Sequence, residues 1–130
     1  MRNFAFMVSL ALLSMTTAEA DPIYGIWQTA PGNNGNVGHV EVKECEDGIC
    51  GTLVKTFDGS GKQYKSDNLG KNIIFGMKAQ DDGRYSGGKV WAPDDDKTYN
   101  SHLVLTGDSL SVSGCVLMIL CRSQVWTRPK

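Results

Sequence analysis

Proline is scarce, at four in 130 residues; histidine occurs twice, and aromatic side chains make up only 8% of the chain. A dominant charge sign is missing too: 13 Lys and Arg against 14 Asp and Glu leave a formal net charge of −1. That balance removes any bulk electrostatic reason to bind nucleic acid or an anionic membrane. Helical periodicity is absent after Ala20, where no window keeps apolar residues at i, i+3, i+4 and i+7 for three turns without a glycine or a turn cluster. Catalytic signatures are lacking as well, since no Gly-x-Ser-x-Gly element or Ser/His/Asp series occurs. Glycine is the exception to this scarcity, with 15 residues and no collagen-like period. At 41% hydrophobic residues the chain is too apolar for disorder. Composition therefore points to a compact, turn-rich, all-β domain.

The N-terminal segment stands apart. Met1-Arg2-Asn3 gives a short positive start, and residues 4–15 are apolar except for Ser9 and Ser14. Thr16, Thr17 and the small-residue signature Ala18-Glu19-Ala20 follow. This is the layout of a secretory signal peptide over residues 1–20, leaving a single domain at 21–130. The apolar stretch is short of the ~20 residues that a spanning helix needs, so no membrane span is expected after cleavage. No cysteine sits at the cleavage point, where Asp21 would be the first residue, which argues against a lipoprotein. A periplasmic or secreted location is the expectation.

Export changes how the cysteines are read. Cys45, Cys50, Cys115 and Cys121 form an even set, which in an oxidising compartment favours disulfides over metal thiolates. Neither close pair has the two-residue gap of a zinc knuckle or a redox Cys-x-x-Cys site. Of the three pairings open to four cysteines, Cys45–Cys50 and Cys115–Cys121 are preferred, because each pair flanks a chain reversal. Glu46-Asp47-Gly48-Ile49 carries Asp-Gly at its centre, a turn signal.

Short β-favouring runs recur through the rest of the chain, at residues 24–29, 39–44, 51–57, 72–77, 84–91, 98–106, 109–113 and 123–128. Gly-, Asn- and Asp-rich connectors separate them, and the longest connector covers residues 58–71. Alternation gives each strand one buried face: Val40 and Val42 against His39, Glu41 and Lys43, and Leu103 and Leu105 with Tyr99 and Ser101. The apolar run at 116–120, lying between two cysteines, is either a buried closing turn or an exposed lip. About eight antiparallel strands in sequence order predict a small up-and-down β-barrel, a form that leaves no unpaired sheet edge.

Gly25-Ile26-Trp27 resembles the Gly-x-Trp opening of lipocalins and related barrels. In those proteins an arginine of the last strand lies across the tryptophan ring. The resemblance implies that Gly25, Trp27 and Arg128 close one end of the barrel, with Arg122 as the second choice of arginine. A broader likeness runs through Ile26-Trp27-Gln28-Thr29, Cys50-Gly51-Thr52-Leu53-Val54, Asp96-Lys97-Thr98-Tyr99, Leu105-Thr106-Gly107-Asp108-Ser109-Leu110 and Cys121-Arg122-Ser123-Gln124-Val125-Trp126-Thr127-Arg128. This series is similar to the bacterial "domain of unknown function 2147" family. The likeness implies an exported, lipocalin-like barrel. It carries no agreed activity, so no catalytic residue is transferred.

The remaining candidate sites weigh towards simple readings. His39 and His102 lie on different strands without a carboxylate at ligand spacing, which favours packing over metal binding. Asp94-Asp95-Asp96 lacks the spaced ligands and closing Glu of a calcium loop and reads as a solvated turn. Lys55, Lys62, Lys65, Lys71 and Lys78 make the middle of the chain basic, as a soluble edge and loop would be. Tyr85 and Trp91, six apart on one strand, fall on the same face by simple alternation, and Tyr99 lies on the next strand. These three aromatics are the candidate ligand lining. The expected function is non-enzymatic, without metal or cofactor: binding of a small apolar or amphipathic ligand in the barrel. The alternative is a module that docks on an envelope protein, such as a hydrolase inhibitor, through residues 58–71 and 116–120.

Overall fold

A computed structural model describes residues 20–117 and 119–130; the expected signal segment, apart from Ala20, lies outside them. Among the described residues there is no helix, and so none long and apolar enough to cross a membrane. The strands are β1 (Gly25–Gln28), β2 (Val37–Cys45), β3 (Gly48–Phe57), β4 (Gln63–Tyr64), β5 (Asn72–Ala79), β6 (Arg84–Ala92), β7 (Lys97–Thr106), β8 (Ser109–Val116) and β9 (Leu120–Thr127). Eight of them form a closed antiparallel barrel, with sequence neighbours paired and β1 meeting β9. The two-residue β4 is an appendage on the free flank of β3 inside the 58–71 connector. The connector rules of the sequence missed it because two residues carry no periodicity.

Strands run further toward their turns than the alternation alone marks. β3 starts at Gly48 and β8 reaches Val116, because the cysteines lie within the ladders rather than beyond them. The core is built from one face of each strand: Trp27, Val40, Val42, Leu53, Ile74, Met77, Leu103, Leu110, Val112 and Trp126 are all buried. Burying a Leu or Ile side chain contributes about 1.5–3 kcal/mol, so this cluster supplies the main drive for barrel closure.

Antiparallel order sorts the connectors into two ends. The residues before β1 and the turns 46–47, 80–83 and 107–108 lie at one end, the base. Connectors 29–36, 58–71, 93–96 and the tip between β8 and β9 lie at the other, the open end. The seam is unequal. Among the described residues β1 pairs with β9 only at Gln28–Thr127, so from Leu120 to Trp126 the flank of β9 away from β8 makes no ladder pair with them.

Candidate functional site at the open end of the barrel

The base is filled and locked. Trp27 is fully buried, and its indole Nε1 donates to the Ile23 carbonyl at 2.8 Å. The Arg128 guanidinium carbon lies 3.8 Å from the Trp27 ring centroid. Arg128 also donates to the Pro22 carbonyl at 2.7 Å and the Ile26 carbonyl at 3.3 Å. Gly25 is required beside it: its φ is +120°, and a Cβ there would stand 3.0 Å from Arg128 Nη1. Arg122, the second-choice arginine, is at the opposite end of β9. Tyr85 plugs the base from β6 and donates its hydroxyl to Asp21 Oδ1. Burial, followed by the Asp21 hydrogen bond and charge, pushes the Tyr85 phenol far above its ordinary value.

The open end differs in kind. Register pairs Leu110 with Trp126, Val112 with Gln124, Gly114 with Arg122 and Val116 with Leu120. Side chains of opposed residues share a face, so Gln124 and Arg122 belong to the inward face that Trp126 fills lower down. All residues from Leu120 to Val125 are nevertheless exposed, because no strand among the described residues covers that flank of β9. Across the barrel wall, Val90 and Tyr99 lean on β8: a Cβ on Gly114 would sit 3.3 Å from Val90 Cγ1 and from Tyr99 Cβ. Tyr99 donates its hydroxyl to Asp95 Oδ2 at 2.6 Å. That bond holds the phenol above its ordinary value, with the Arg122 charge pulling the other way.

The rim is also apolar. Leu117 and Ile119 are 81% and 84% exposed, with Leu120 and Val116 beside them, so these described residues of the 116–120 run form a lip and not a buried turn. The Cys115–Cys121 disulfide fixes its base, joining directly opposed residues whose Cα atoms are 4.0 Å apart. Cys45–Cys50 staples the β2–β3 hairpin at the base of the barrel. Its cysteines are not opposed, since Cys45 faces Gly48 and Cys50 faces Lys43.

The three candidate lining aromatics do not converge. Tyr85 and Trp91 lie on opposite faces, which corrects the simple alternation. Tyr85 opposes Leu103 and Gly88 opposes Ser101, so β6 carries one extra residue in a bulge at Ser86–Gly87. Gly87 takes φ +81° there, and parity reverses beyond it. Trp91 consequently opposes Thr98 on the outer face and donates to Asp96 Oδ1 at 2.8 Å, with Lys71 Nζ 5.4 Å from its ring centroid. Gly70, Asn72 and Phe75 complete an open outer depression at this point. Of the three, only Tyr99 borders the open end. The acidic turn is engaged with these aromatics, Asp95 with Tyr99 and Asp96 with Trp91.

His39 packs 4.7 Å from the Phe57 ring and 3.2 Å from Gln28 Oε1. Burial, then the Lys55 charge, lowers its pKa. In the basic connector, Asp58 Oδ1 accepts from Ser60 N, Ser60 Oγ and Lys62 N, which holds the Asp58 carboxyl below its usual range. Sequence reasoning missed Arg122 and Gln124 as inward groups. Counting back from Trp126 in steps of two would have found them.

Comparison with curated proteins finds no match. Among solved structures, the chain is similar to one described as "Protein HP1028 from the human pathogen Helicobacter pylori belongs to the lipocalin family", with a TM-score of 0.67 and 17% identity, over 85% of this chain and 84% of that one. At that identity the likeness speaks for the fold. A family model described as "Uncharacterized protein conserved in bacteria (DUF2147)" matches residues 25–128, and the chain, itself a lipocalin-like barrel, belongs to this bacterial family.

Proposed function

We propose that the protein is an exported, non-enzymatic binding protein that takes a small amphipathic molecule at the open end of its barrel. The observation that carries this reading is the pair of exposed, inward-facing polar residues Arg122 and Gln124 above a fully packed base. Val90, Val116 and Leu120 offer apolar surface around them, and the flank of β9 left unpaired among the described residues gives a lateral way in. An arginine beside apolar wall suits a ligand with an anionic head and a short apolar body. Binding is favoured over turnover because the groups at the rim are an arginine, an amide and a phenol already bonded to Asp95. Two hairpin disulfides and the signal-like segment at residues 1–20 support export.

A second reading, docking on an envelope protein, is favoured by Leu117 and Ile119, which project into solvent. One experiment separates the two. The purified protein is titrated with 11-(dansylamino)undecanoic acid, and in parallel is denatured and searched by mass spectrometry for a released small molecule. Saturable probe binding that weakens about ten-fold in Arg122→Gln is expected, since a hydrogen bond to a charged group is worth about 1.5–3 kcal/mol. Absence of both probe binding and released molecule overturns the small-ligand reading and leaves docking.

A further inference from the structure

The outer wall beside the lip brings together three groups that the ligand reading does not use. His102 stands on β7, Cys115 on β8 and Cys121 on β9, three adjacent strands. His102 opposes Ser113 and Asn100 opposes Cys115, so His102 lies diagonally across the ladder from Cys115. Its Nδ1 is 3.9 Å from Cys115 Sγ, and the imidazole nitrogen and both sulfurs lie within 4.8 Å of one another. His102 and Cys121 are exposed and Cys115 is buried, so the cluster is reachable from solvent on one side. The group has no counterpart at Cys45–Cys50 among the described residues.

We propose that Cys115, Cys121 and His102 form a redox-gated site for a thiophilic divalent cation of the Zn²⁺ type. In the oxidised protein each sulfur is bonded to the other, so neither is a thiolate ligand. A dithiol reductant supplies two electrons and two protons: the S–S bond breaks, Cys115 and Cys121 become thiols, and the dithiol becomes a disulfide. The cation then displaces the two thiol protons to water and takes two thiolates and His102 Nδ1, with a water as the fourth ligand. Zinc bound at ~2.3 Å from each sulfur and ~2.0 Å from nitrogen sets ligand atoms about 3.5–3.8 Å apart. Atoms already within 4.8 Å reach that spacing by side-chain rotation on a fixed sheet. The spacing of cysteines along the chain conceals this site, because the third ligand comes from the neighbouring strand.

The test uses the full mature chain, oxidised or reduced with a dithiol that is then removed under anaerobic conditions. Zn²⁺ affinity is measured by competition with a chromophoric chelator, and Co²⁺ is added as a spectroscopic probe. One equivalent bound by the reduced protein is expected, with a thiolate-to-Co²⁺ charge-transfer band and no comparable binding when oxidised. His102→Ala should weaken binding ten-fold or more, at least as much as losing an outer-shell partner. Cys45→Ser/Cys50→Ser should retain the site, and Cys115→Ser/Cys121→Ser should lose it. Equal affinity in the oxidised protein, unchanged affinity in His102→Ala, or no binding to the reduced chain overturns the proposal. Collapse of the tryptophan near-UV circular dichroism on reduction overturns it as well, because the site requires the intact sheet.

Discussion

Arg128 lies over the Trp27 ring, its guanidinium carbon 3.8 Å from the ring centroid, and thereby ties the end of the last strand to the first strand. The stacking and two hydrogen bonds to the Pro22 and Ile26 carbonyls act on one side chain. Arg128→Ala should cost about 1–3 kcal/mol, read as a lower urea midpoint at unchanged slope. Arg128→Lys should recover less than half, since an ammonium cannot stack and fork together. Full recovery by lysine would show that charge alone holds the base.

Core and lip should respond oppositely to loss of apolar surface. Leu103 is fully buried, and Leu103→Ala should cost about 2–5 kcal/mol in urea unfolding. Leu117→Ser combined with Ile119→Ser removes exposed groups and should leave stability within about 0.5 kcal/mol. A large loss from the double variant would place the lip in the core energetics.

Acid should weaken the barrel through His39. Its folded pKa is lowered by burial and by Lys55, while the unfolded value stays near 6.5. The unfolded chain then binds more protons, so stability falls as pH drops from near 6.5 through the lowered folded value. His39→Gln should reduce the difference in urea midpoint between about pH 7.5 and about pH 5. An unchanged difference would show that His39 does not carry the acid response in this range, since a carboxylate held below its usual range, such as Asp58, loses its contribution only at lower pH.

Tyr85 should resist alkali. Its hydroxyl is buried and bonded to Asp21, so in a spectrophotometric titration one phenol should ionise only as the protein unfolds. Tyr85→Phe should remove that late step and cost about 1–2 kcal/mol. Complete tyrosine ionisation in the folded protein would contradict the assignment.

What the sequence made legible was local. Gly25 and Trp27 near one terminus and Arg128 at the other announce the base, and the alternation of Val40 and Val42 or Leu103 and Leu105 places strands on their correct faces. Both disulfides follow from short spacing around a reversal. Parity failed at Ser86–Gly87, where a bulge adds one residue and turns Trp91 outward. A glycine pair does not by itself reveal whether a ladder takes up an extra residue. The open flank of β9 was equally hidden, because it depends on β1 leaving the sheet after Gln28, a relation between the two ends of the chain.

That lone Gln28–Thr127 pair also orders events in time. The other barrel pairings join strands close in sequence and carry little loop-closure entropy, whereas the ring itself closes over nearly the whole domain. A chain made N-terminus first holds β1 with one bare flank until the last strand arrives. The seam is therefore expected to form after the folding transition state, and to be already broken in that same state when the chain unfolds. In a stopped-flow chevron, Arg128→Ala should accelerate unfolding and leave the folding limb in place; a slowed folding limb would instead put ring closure in the nucleus.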